Sequence, residues 1–455
     1  MAERRLPEDP SSSRTTLESK PSYDTQLKQA YQTYAKVLGL GCLAVIIMIF
    51  AIFSIYWGSL EVIPARNIQG WLIDFDGGSI GQIVTQGLTS SPNPASKITW
   101  NILPPSQFSS LDAVRHEVYD EKTFVALTIN PGASSRLQAS LSSPNATYNG
   151  SEAISIFASE ARSENAFRSL IRPSIQASLD PLLTMAAARM AKEAASNPNL
   201  MNLLTTSPQT LTLPVWYQLI NINPFDQTLA TAVTFVGLIY QVILAFFVVN
   251  MALGARQASG LERLLPMRKL VMLRLGSSFL AYLIISLFYC LLSLAFQLKL
   301  HKTFGSAGFL VFWMLNFVGI LALGLALESM MTLLTIKFVA FFMLIWIIGN
   351  VSVVAFPLEL MPVVYRYGYA APFYNLTKAM RTILFDTKNE VGYHFGILFV
   401  WVAISCITLP IFMILTRKRD GSQAKTQEQN QVRNQDSNPE PQWLENEKLK
   451  EPQSV

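Results

Sequence analysis

The stretch WLIDFDGGSIG, residues 71–81, contains two carboxylates whose spacing could support chemistry. An apolar run ends there in Asp74-Phe-Asp76, and Gly77 and Gly78 follow. An aspartate at the end of a strand can act as a covalent nucleophile. Alternating acidic residues followed by glycine also begin calcium loops. Asp74 could therefore be a nucleophile, a metal ligand or part of a turn.

The phosphatase interpretation lacks its further residues. The motif is close to the Asp-x-Asp-Gly-Thr signature of haloacid-dehalogenase-type phosphatases, but Gly78 stands in place of the threonine. Such an enzyme also needs a later acidic pair to hold magnesium against the phosphate. The adjacent acidic pair of this region, Asp120-Glu121, comes too early in the chain.

The metal-site interpretations are incomplete as well. With Asp74 as position 1 of a calcium loop, position 12 should be glutamate and is Thr85. The stretch HEVYD, residues 116–120, has aspartate where a zinc helix needs its second histidine. We therefore predict a structural turn, with no catalytic or metal site and no cofactor. In this turn Asp76 accepts backbone hydrogen bonds, and Gly77 and Gly78 adopt unusual dihedrals.

The composition indicates a membrane protein. The chain has 455 residues, of which 51% are hydrophobic and 14% charged, whereas soluble domains carry about 25% charged residues. The net charge of +5 is too small to suggest nucleic acid as a partner. Cys42, Cys290 and Cys406 each lie in an apolar run, which predicts buried thiols and no disulfide or metal ligand.

Six apolar segments approach the length of roughly 20 residues that a membrane helix needs. They are 37–56, 233–253, 270–298, 309–327, 338–356 and 395–415. The third carries Arg274 near its start, and the other five contain no charged residue or histidine. The predicted fold is an α-helical polytopic membrane protein with six spans in a 1+5 arrangement and an α/β extracytoplasmic domain between spans one and two.

Lysine and arginine predict the orientation. They cluster before the first span, between spans two and three, and directly after span six at Arg417-Lys418-Arg419. Both termini are therefore expected in the cytoplasm. The predicted segments are a disordered N-terminal tail (1–36), the first span (37–56), the extracytoplasmic domain (57–232), five membrane helices (233–415) and a disordered C-terminal tail (416–455).

The outer domain alternates strand and helix patterns. Strands are predicted at 71–75, 98–102, 124–129 and 154–158, with helices at 80–88, after Ser109 or Ser110, at 133–141 and over much of 160–196. Asn145 and Asn149 each begin an Asn-x-Ser/Thr acceptor site in a turn-rich stretch. We predict glycosylation at both, which would make the protein a glycoprotein.

A second unusual motif is YRYGYAAPFYN, residues 365–375, between the last two predicted spans. The motif combines Tyr365, Arg366, Tyr367, Gly368 and Tyr369, and then Pro372 and Asn375. Amphipathic aromatic residues are typical of the membrane interface. An amphipathic helix is predicted after Pro372, with Lys378 and Arg381 on its polar side. The motif could anchor the chain at the interface, which we favour, or form a gate in the outer leaflet.

Three stretches carry a family resemblance: LIDFDGGSIG (72–81), INPFDQTLATAVTFVGLIYQVILAFF (222–247) and the tyrosine motif. With the span order, they resemble the fungal nitrosoguanidine-resistance membrane proteins, related to ABC-2-type and phage-infection-protein-like membrane proteins. The resemblance covers about residues 30–418. It implies a plasma-membrane location and a role in resistance to toxic compounds.

The energy source for such a role is not visible in the sequence. No GxxxxGK[ST] motif occurs, and the predicted spans offer neutral polar residues such as Gln241, Asn250, Asn316 and Asn350. Two functional classes remain, and neither is an enzyme. The protein exports or handles amphiphiles or lipids without its own ATPase, with membrane lipids and a separate nucleotide-binding subunit or a homodimer as partners. Alternatively, it is an accessory or membrane-organising protein whose outer domain binds a partner.

Overall fold

A computed structural model describes residues 23–90 and 93–436. The chain divides into two compact units, with the boundary after Ser54. In the first unit, helix α1 spans Tyr23–Met48 and continues through one π-helical turn, Ile49–Phe53. Its apolar side chains are largely exposed, as expected of a helix surrounded by lipid.

The second unit begins at Ile55, within α2 (Ser54–Glu61), and then forms a five-stranded sheet. The strands are β1 (Ile68–Asp74), β2 (Ile98–Leu103), β3 (Val125–Ile129), β4 (Ile154–Ala158) and β5 (Tyr217–Asn221). Their order is β2-β1-β3-β4-β5. β3 and β4 pair antiparallel, and the other neighbours pair parallel. The sheet is therefore mixed.

Helices cover both faces of this sheet, as the continuous burial of β3 and β4 requires. They are α3 (Ser79–Ser90), α4 (Leu111–Tyr119), α5 (Ala133–Ser142), α6 (Glu164–Ala166), α7 (Arg172–Ala194), α8 (Leu200–Thr206) and α9 (Gln209–Thr212). Val114 and Val118 of α4 pack with Ile73 and Phe157 on one face. α3, α5 and α7 bury the other face around Leu72, Leu127 and Ile156.

The remaining helices are mostly apolar. They are α10 (Gly237–Ala258), α11 (Leu261–Leu264), α12 (Met267–Ala295), α13 (Gly308–Val351), α14 (Pro372–Phe385) and α15 (Val391–Asp436). Five helical stretches of the described residues are long and apolar enough to cross a membrane: Leu27–Glu61, Ala232–Ala258, Met267–Ala295, Gly305–Leu334 and Val391–Arg419. Phe338–Val351 is a shorter apolar helix.

The predicted fourth and fifth spans both lie in α13, a run of 44 helical residues. This run bends back on itself. The amide of Phe373 donates to Asn350 Oδ1 at 3.1 Å, while Gly319 lies directly against the Leu376 side chain. A straight helix would place residues 319 and 350 about 46 Å apart, which is incompatible with contacts to the same turn of α14. Trp346 and Ser329 likewise both reach the α15 turn at 401–405.

The helices extend further into both tails than the sequence predicted. α1 includes residues 23–36 and α15 includes residues 416–436, which were predicted to be disordered. These stretches contain many Gln, Lys, Arg and Ala residues, which are strong helix formers. Once an apolar helix is nucleated, such residues extend it at little cost. The rest of both predicted tails lies outside the described residues.

Candidate functional site

The opening motif forms a hydrogen-bonded turn at the carboxyl end of β1. Asp74 Oδ1 accepts the amides of Asp76 and Gly77 at 2.9 and 3.0 Å. Asp74, rather than Asp76 as the sequence suggested, therefore satisfies the turn backbone. Gly77 has φ +62°, the left-handed conformation that glycine adopts at no steric cost.

Asp76 joins two helices instead. Its carboxylate accepts the amide of Ser134 at 3.1 Å and also the Ser134 hydroxyl, while Ser134 Oγ accepts the amide of Ile80. Both α3 and α5 begin at this point, and helix N-termini favour a negative charge. The φ of Gly78 lies outside the left-handed region, contrary to the prediction of an unusual dihedral there, but a side chain on Gly78 would collide with Ser134. Both carboxylates are therefore engaged in holding the turn.

The two predicted glycosylation sites lie in the exposed stretch after α5. Asn145 and Asn149 are exposed, and the Oδ1 atom of each accepts a hydrogen bond from a residue two positions later. Asn375, which begins a third Asn-x-Thr sequence, is fully buried. Its side chain donates to the carbonyls of Tyr369 and Ala371 and contacts His394 Nδ1 at 2.8 Å.

The tyrosine motif folds into a 3₁₀ segment, Val363–Ala370, that precedes α14. The buried Tyr365 donates its hydroxyl to the Ile55 carbonyl, and Tyr367 donates to the Gly349 carbonyl, both at 2.7 Å. Gly368 packs so closely on Val353 and Leu358 that no side chain would fit there. Arg366, Tyr367 and Tyr369 are exposed. These exposed aromatic residues suit the membrane interface.

α14 is buried on its polar side as well, so it differs from a helix lying on the membrane surface. Pro372 is in its first turn, where proline is preorganised for a helix. Leu376, Met380 and Ile383 are fully buried. The opposite side is covered by the outer domain rather than by water, so α14 lies between the sheet and the membrane helices.

Charged residues hold this contact together, in a group that we call the outer junction: Glu121, Arg162 and Glu164 of the outer domain with Lys378 and Arg381 of α14. Lys378 Nζ lies 2.6 Å from Glu121 Oε2, and Arg381 Nη2 lies 2.5 Å from Glu164 Oε2. Arg162 lies 3.5 Å from Glu121 and packs its guanidinium over the Phe124 ring.

The outer junction shifts the pKa of its members. Burial alone would raise the pKa of the Glu121 carboxyl, but Lys378 and Arg162 outweigh this effect and hold it below its usual value. Burial lowers the pKa of Lys378, and the charge of Glu121 opposes that change. Glu121 also has φ +60°, which is uncommon for a residue with a side chain. Such a backbone conformation persists where the surroundings over-determine it.

The membrane helices contain a second polar group that the sequence reasoning missed. The buried residues of α12 recur every three or four positions and are almost all polar; they are Leu270, Arg274, Ser278, Tyr282, Ser286, Cys290 and Ser293. Large apolar residues such as Phe279, Leu280 and Phe288 face outward. This arrangement reverses the usual amphipathic pattern, as suits a helix with lipid on its outer side.

Residues of α10 and α13 complete this polar surface, which we call the polar seam: Arg274, Ser278, Tyr282 and Ser286 of α12, Gln241 of α10, and Asn316 and Glu328 of α13. Gln241 Nε2 donates to Asn316 Oδ1, and the Tyr282 hydroxyl donates to the Ala245 carbonyl at 3.5 Å. Gln241 Oε1 is buried and has no hydrogen-bond partner among the described residues.

A buried carboxylate lies at one end of the polar seam. Glu328 is 1% exposed. Its oxygens contact Arg274 Nε at 2.9 Å, Ser278 Oγ at 2.6 Å and Arg256 Nη1 at 3.4 Å. Glu328 lies one residue beyond the fourth predicted span, which ended at Leu327, and inside the longer candidate span Gly305–Leu334. Ionisable residues inside a membrane domain are expensive and commonly mark substrate or ion paths.

Comparisons with known proteins agree with an integral membrane protein. An uncharacterized endoplasmic reticulum membrane protein of Saccharomyces cerevisiae is 29% identical over 343 residues, which cover 70% of this chain and 63% of the yeast protein. The chain thus aligns with less than two thirds of that relative. No solved structure matches.

A family model described as a protein of unknown function (DUF3533) matches residues 41–407. The matched region includes the outer domain, the outer junction and the polar seam. Neither this model nor the yeast relative carries the name of the nitrosoguanidine-resistance or ABC-2-type proteins. The match covers most of the sequence, and the chain therefore belongs to the DUF3533 family.

Proposed function

We propose that this protein moves or exposes amphiphilic molecules, either lipids or lipid-like toxic compounds, by way of the polar seam and without an ATPase of its own. The observation that carries the proposal is the buried polar face of α12, which runs from Ser293 to Arg274 along a membrane helix. In water, the hydrophobic effect drives apolar residues together. Lipid tails provide no equivalent force that would drive polar residues together. A helix that keeps polar residues inside for most of its length is suited to accommodating a polar group.

The resemblance to nitrosoguanidine-resistance proteins supports resistance to toxic compounds as the physiological outcome. Loss of the protein should then raise sensitivity to some amphiphilic or alkylating compounds. We propose the plasma membrane as the location; the name of the yeast relative places that protein in the endoplasmic reticulum. Fluorescence microscopy of the full-length protein at its native level, with markers for both membranes, distinguishes the two locations.

The proposal includes six membrane crossings with both termini in the cytoplasm. Support comes from the bend in α13, which lets Gly305–Leu334 and Phe338–Val351 cross in opposite directions. It also comes from the positions of the lysine and arginine clusters along the sequence, before the first predicted span, between the second and third, and after the sixth. Reporter fusions after residues 20, 150, 260 and 430 test the scheme. An extracytoplasmic signal at 260 would contradict it.

The function is tested by the accumulation of a fluorescent short-chain phospholipid in cells that lack the protein or carry variants. Gln241→Leu removes the polar group at the middle of the polar seam and should abolish the effect of the protein on accumulation. Because Leu suits a membrane interior, the variant should remain abundant. The matched control is Tyr240→Leu, which changes an exposed neighbour and should retain activity.

An accessory or membrane-organising protein would behave differently in this experiment. Its resistance effect would survive Gln241→Leu as long as the protein remained abundant, and labelled lipid would accumulate equally with and without the protein. Purification with native partners adds a separate measurement. A co-purifying nucleotide-binding subunit would favour driven export, whereas a homodimer without such a subunit would favour movement down a gradient.

A further inference from the structure

A cleft of about 370 Å³ lies where the outer domain meets the end of α14. Its walls include Asp112, Arg115 and Tyr119 of α4, Asn223 after β5, and Asp386 at the end of α14. The volume falls in the range of small-ligand sites. The cleft is separate from both the polar seam and the outer junction.

The cleft carries unneutralised charges of both signs. Among the described residues, Asp112, Arg115 and Asp386 form no ion pair, whereas nearby Lys122 pairs with Glu117 and Lys388 with Glu390, both at 2.6 Å. Burial raises the pKa of Tyr119, and the carboxylates of Asp386 and Asp120 raise it further. The negative charge of Asp386 therefore acts on the Tyr119 hydroxyl, which lines the cleft.

The wall that holds Asp386 is also in contact with the ends of membrane helices. The segment between α12 and α13 packs on the last turn of α14: Thr303 Oγ1 donates to the Thr382 carbonyl, and Lys302 Nζ lies 6.0 Å from the centre of the Phe385 ring. This segment joins two candidate membrane spans. The wall of the cleft therefore adjoins the segment that joins two candidate membrane helices, and lipid headgroups surround the ends of such helices.

The cleft wall is linked to the polar seam through α14. Asn223 Nδ2 donates to the Asp386 carbonyl at 2.7 Å and fixes the end of the helix. At the middle of α14, Thr377 donates to the Thr234 carbonyl at 2.7 Å. Thr234 is buried two turns before Gln241 along the helical run into α10. A molecule bound in the cleft thus contacts the same helix that packs, through Thr377, on the helical run that carries Gln241 of the polar seam.

We propose that this cleft binds a zwitterionic phospholipid headgroup, with its amine at Asp112 and Asp386 and its phosphate at Arg115. Carboxylates complement an ammonium group, and a guanidinium binds phosphate oxygens through charge-assisted hydrogen bonds. The choice of a lipid rather than a soluble metabolite rests on the proposed function. The assignment makes the cleft a recognition site at the outer end of the path.

The test uses full-length protein in lipid nanodiscs without phosphatidylethanolamine and two soluble probes, glycerophosphoethanolamine and glycerophosphoglycerol. Isothermal titration calorimetry should show binding of the amine-bearing probe about tenfold tighter, since it engages the two carboxylates as well. Asp386→Asn should reduce this preference, because only Asp112 then faces the amine, while leaving the weaker probe unaffected. Asn tolerates the left-handed conformation of Asp386, φ +57°, so the backbone is kept.

Arg115→Gln should weaken both probes, and Asp226→Asn, which changes an exposed carboxylate outside the cleft, should weaken neither. Equal affinity of the two probes, absence of binding, or an unchanged preference in Asp386→Asn would overturn the assignment. Gln241→Leu lies outside the cleft, so it should abolish lipid movement and leave headgroup binding unchanged, which separates this proposal from the proposed function. If headgroup binding persists while wild-type protein moves no lipid, the cleft assignment stands and the transport proposal fails.

Discussion

Lys378 Nζ lies within hydrogen-bond distance of both oxygens of Glu121, at 2.9 and 2.6 Å, across 257 residues of sequence. Glu121 belongs to the turn after α4, and Lys378 lies in the middle of α14. The other side of α14 packs against membrane helices through residues such as Leu376. The contact therefore couples the outer domain to the membrane helices by a buried ion pair.

Glu121→Gln should destabilise the protein far more than the matched surface change Glu390→Gln. Both glutamates contact a lysine at 2.6 Å, but the Glu121 side chain is 16% exposed and the Glu390 side chain is 44% exposed. Removing one partner of a buried pair typically costs about 3–5 kcal/mol, whereas an exposed pair contributes about 0–1 kcal/mol. Thermal unfolding in detergent measures the difference. Equal melting temperatures for the two variants would contradict the coupling.

The same carboxyl predicts a stability loss in acid. The pKa of Glu121 is lowered in the folded protein, so the unfolded chain binds its proton more readily. Its stabilising contribution is complete above the ordinary glutamate pKa of 4.5 that the unfolded chain has, and is lost as the pH falls through the lower pKa of the folded protein. Unfolding curves from pH 7 to pH 3 should show this loss in the wild-type protein. In Glu121→Gln this component should be absent.

The sequence predicts the outer domain well where apolar residues alternate between short strands and helices. β4 was placed at its observed ends, and Ser110 caps α4 by accepting the Ala113 amide. β5 was missed because Tyr217–Asn221 mixes apolar and polar residues at the sheet edge. α7 continues through Pro181, although a proline inside a helix usually kinks or breaks it.

The four-residue spacing of polar residues along α12 is a sequence signal that predicts its side of the polar seam. Arg274, Ser278, Tyr282, Ser286 and Cys290 are each four residues apart, which places them on one helix face. Their contact with Glu328 was not predictable, because it depends on how α12 packs against α13. The outer junction joins residues more than 200 positions apart, and no local pattern reveals such pairs.

Asp74→Asn should retain abundance and function, because an amide oxygen can still accept the two backbone amides of the turn. Asp76→Ala should lower abundance, since it leaves the Ser134 amide without its acceptor. Such a loss costs about 1–3 kcal/mol, which is a large share of typical domain stability. Immunoblotting and a resistance assay measure both effects. If the Asp74→Asn protein were abundant and correctly localised but inactive, the turn interpretation would be wrong and the motif would be an active site.

Asn145 and Asn149 should carry glycans when the protein is made in a eukaryotic host, because both are exposed in the outer domain. Asn375 should carry none, since its side chain is fully buried and already donates two hydrogen bonds. Glycosidase treatment should increase gel mobility, and the double variant Asn145→Gln/Asn149→Gln should show no such shift. A wild-type protein without any shift would argue against an extracytoplasmic outer domain.

The polar seam allows a comparison of two neighbouring serines. Ser278→Ala should lower the melting temperature measurably, because the Glu328 carboxylate loses a buried hydrogen bond of 2.6 Å. Hydrogen bonds to charged groups contribute about 1.5–3 kcal/mol to stability. Ser277→Ala should have little effect, since Ser277 is exposed and bonds only to the backbone of its own helix. Glu328→Leu should be more damaging than either, because it leaves Arg274 and Arg256 buried without their shared carboxylate. If Ser277→Ala and Ser278→Ala had equal effects, Glu328 would not depend on this hydrogen bond, and its role in the polar seam would have to be assigned to Arg274 alone.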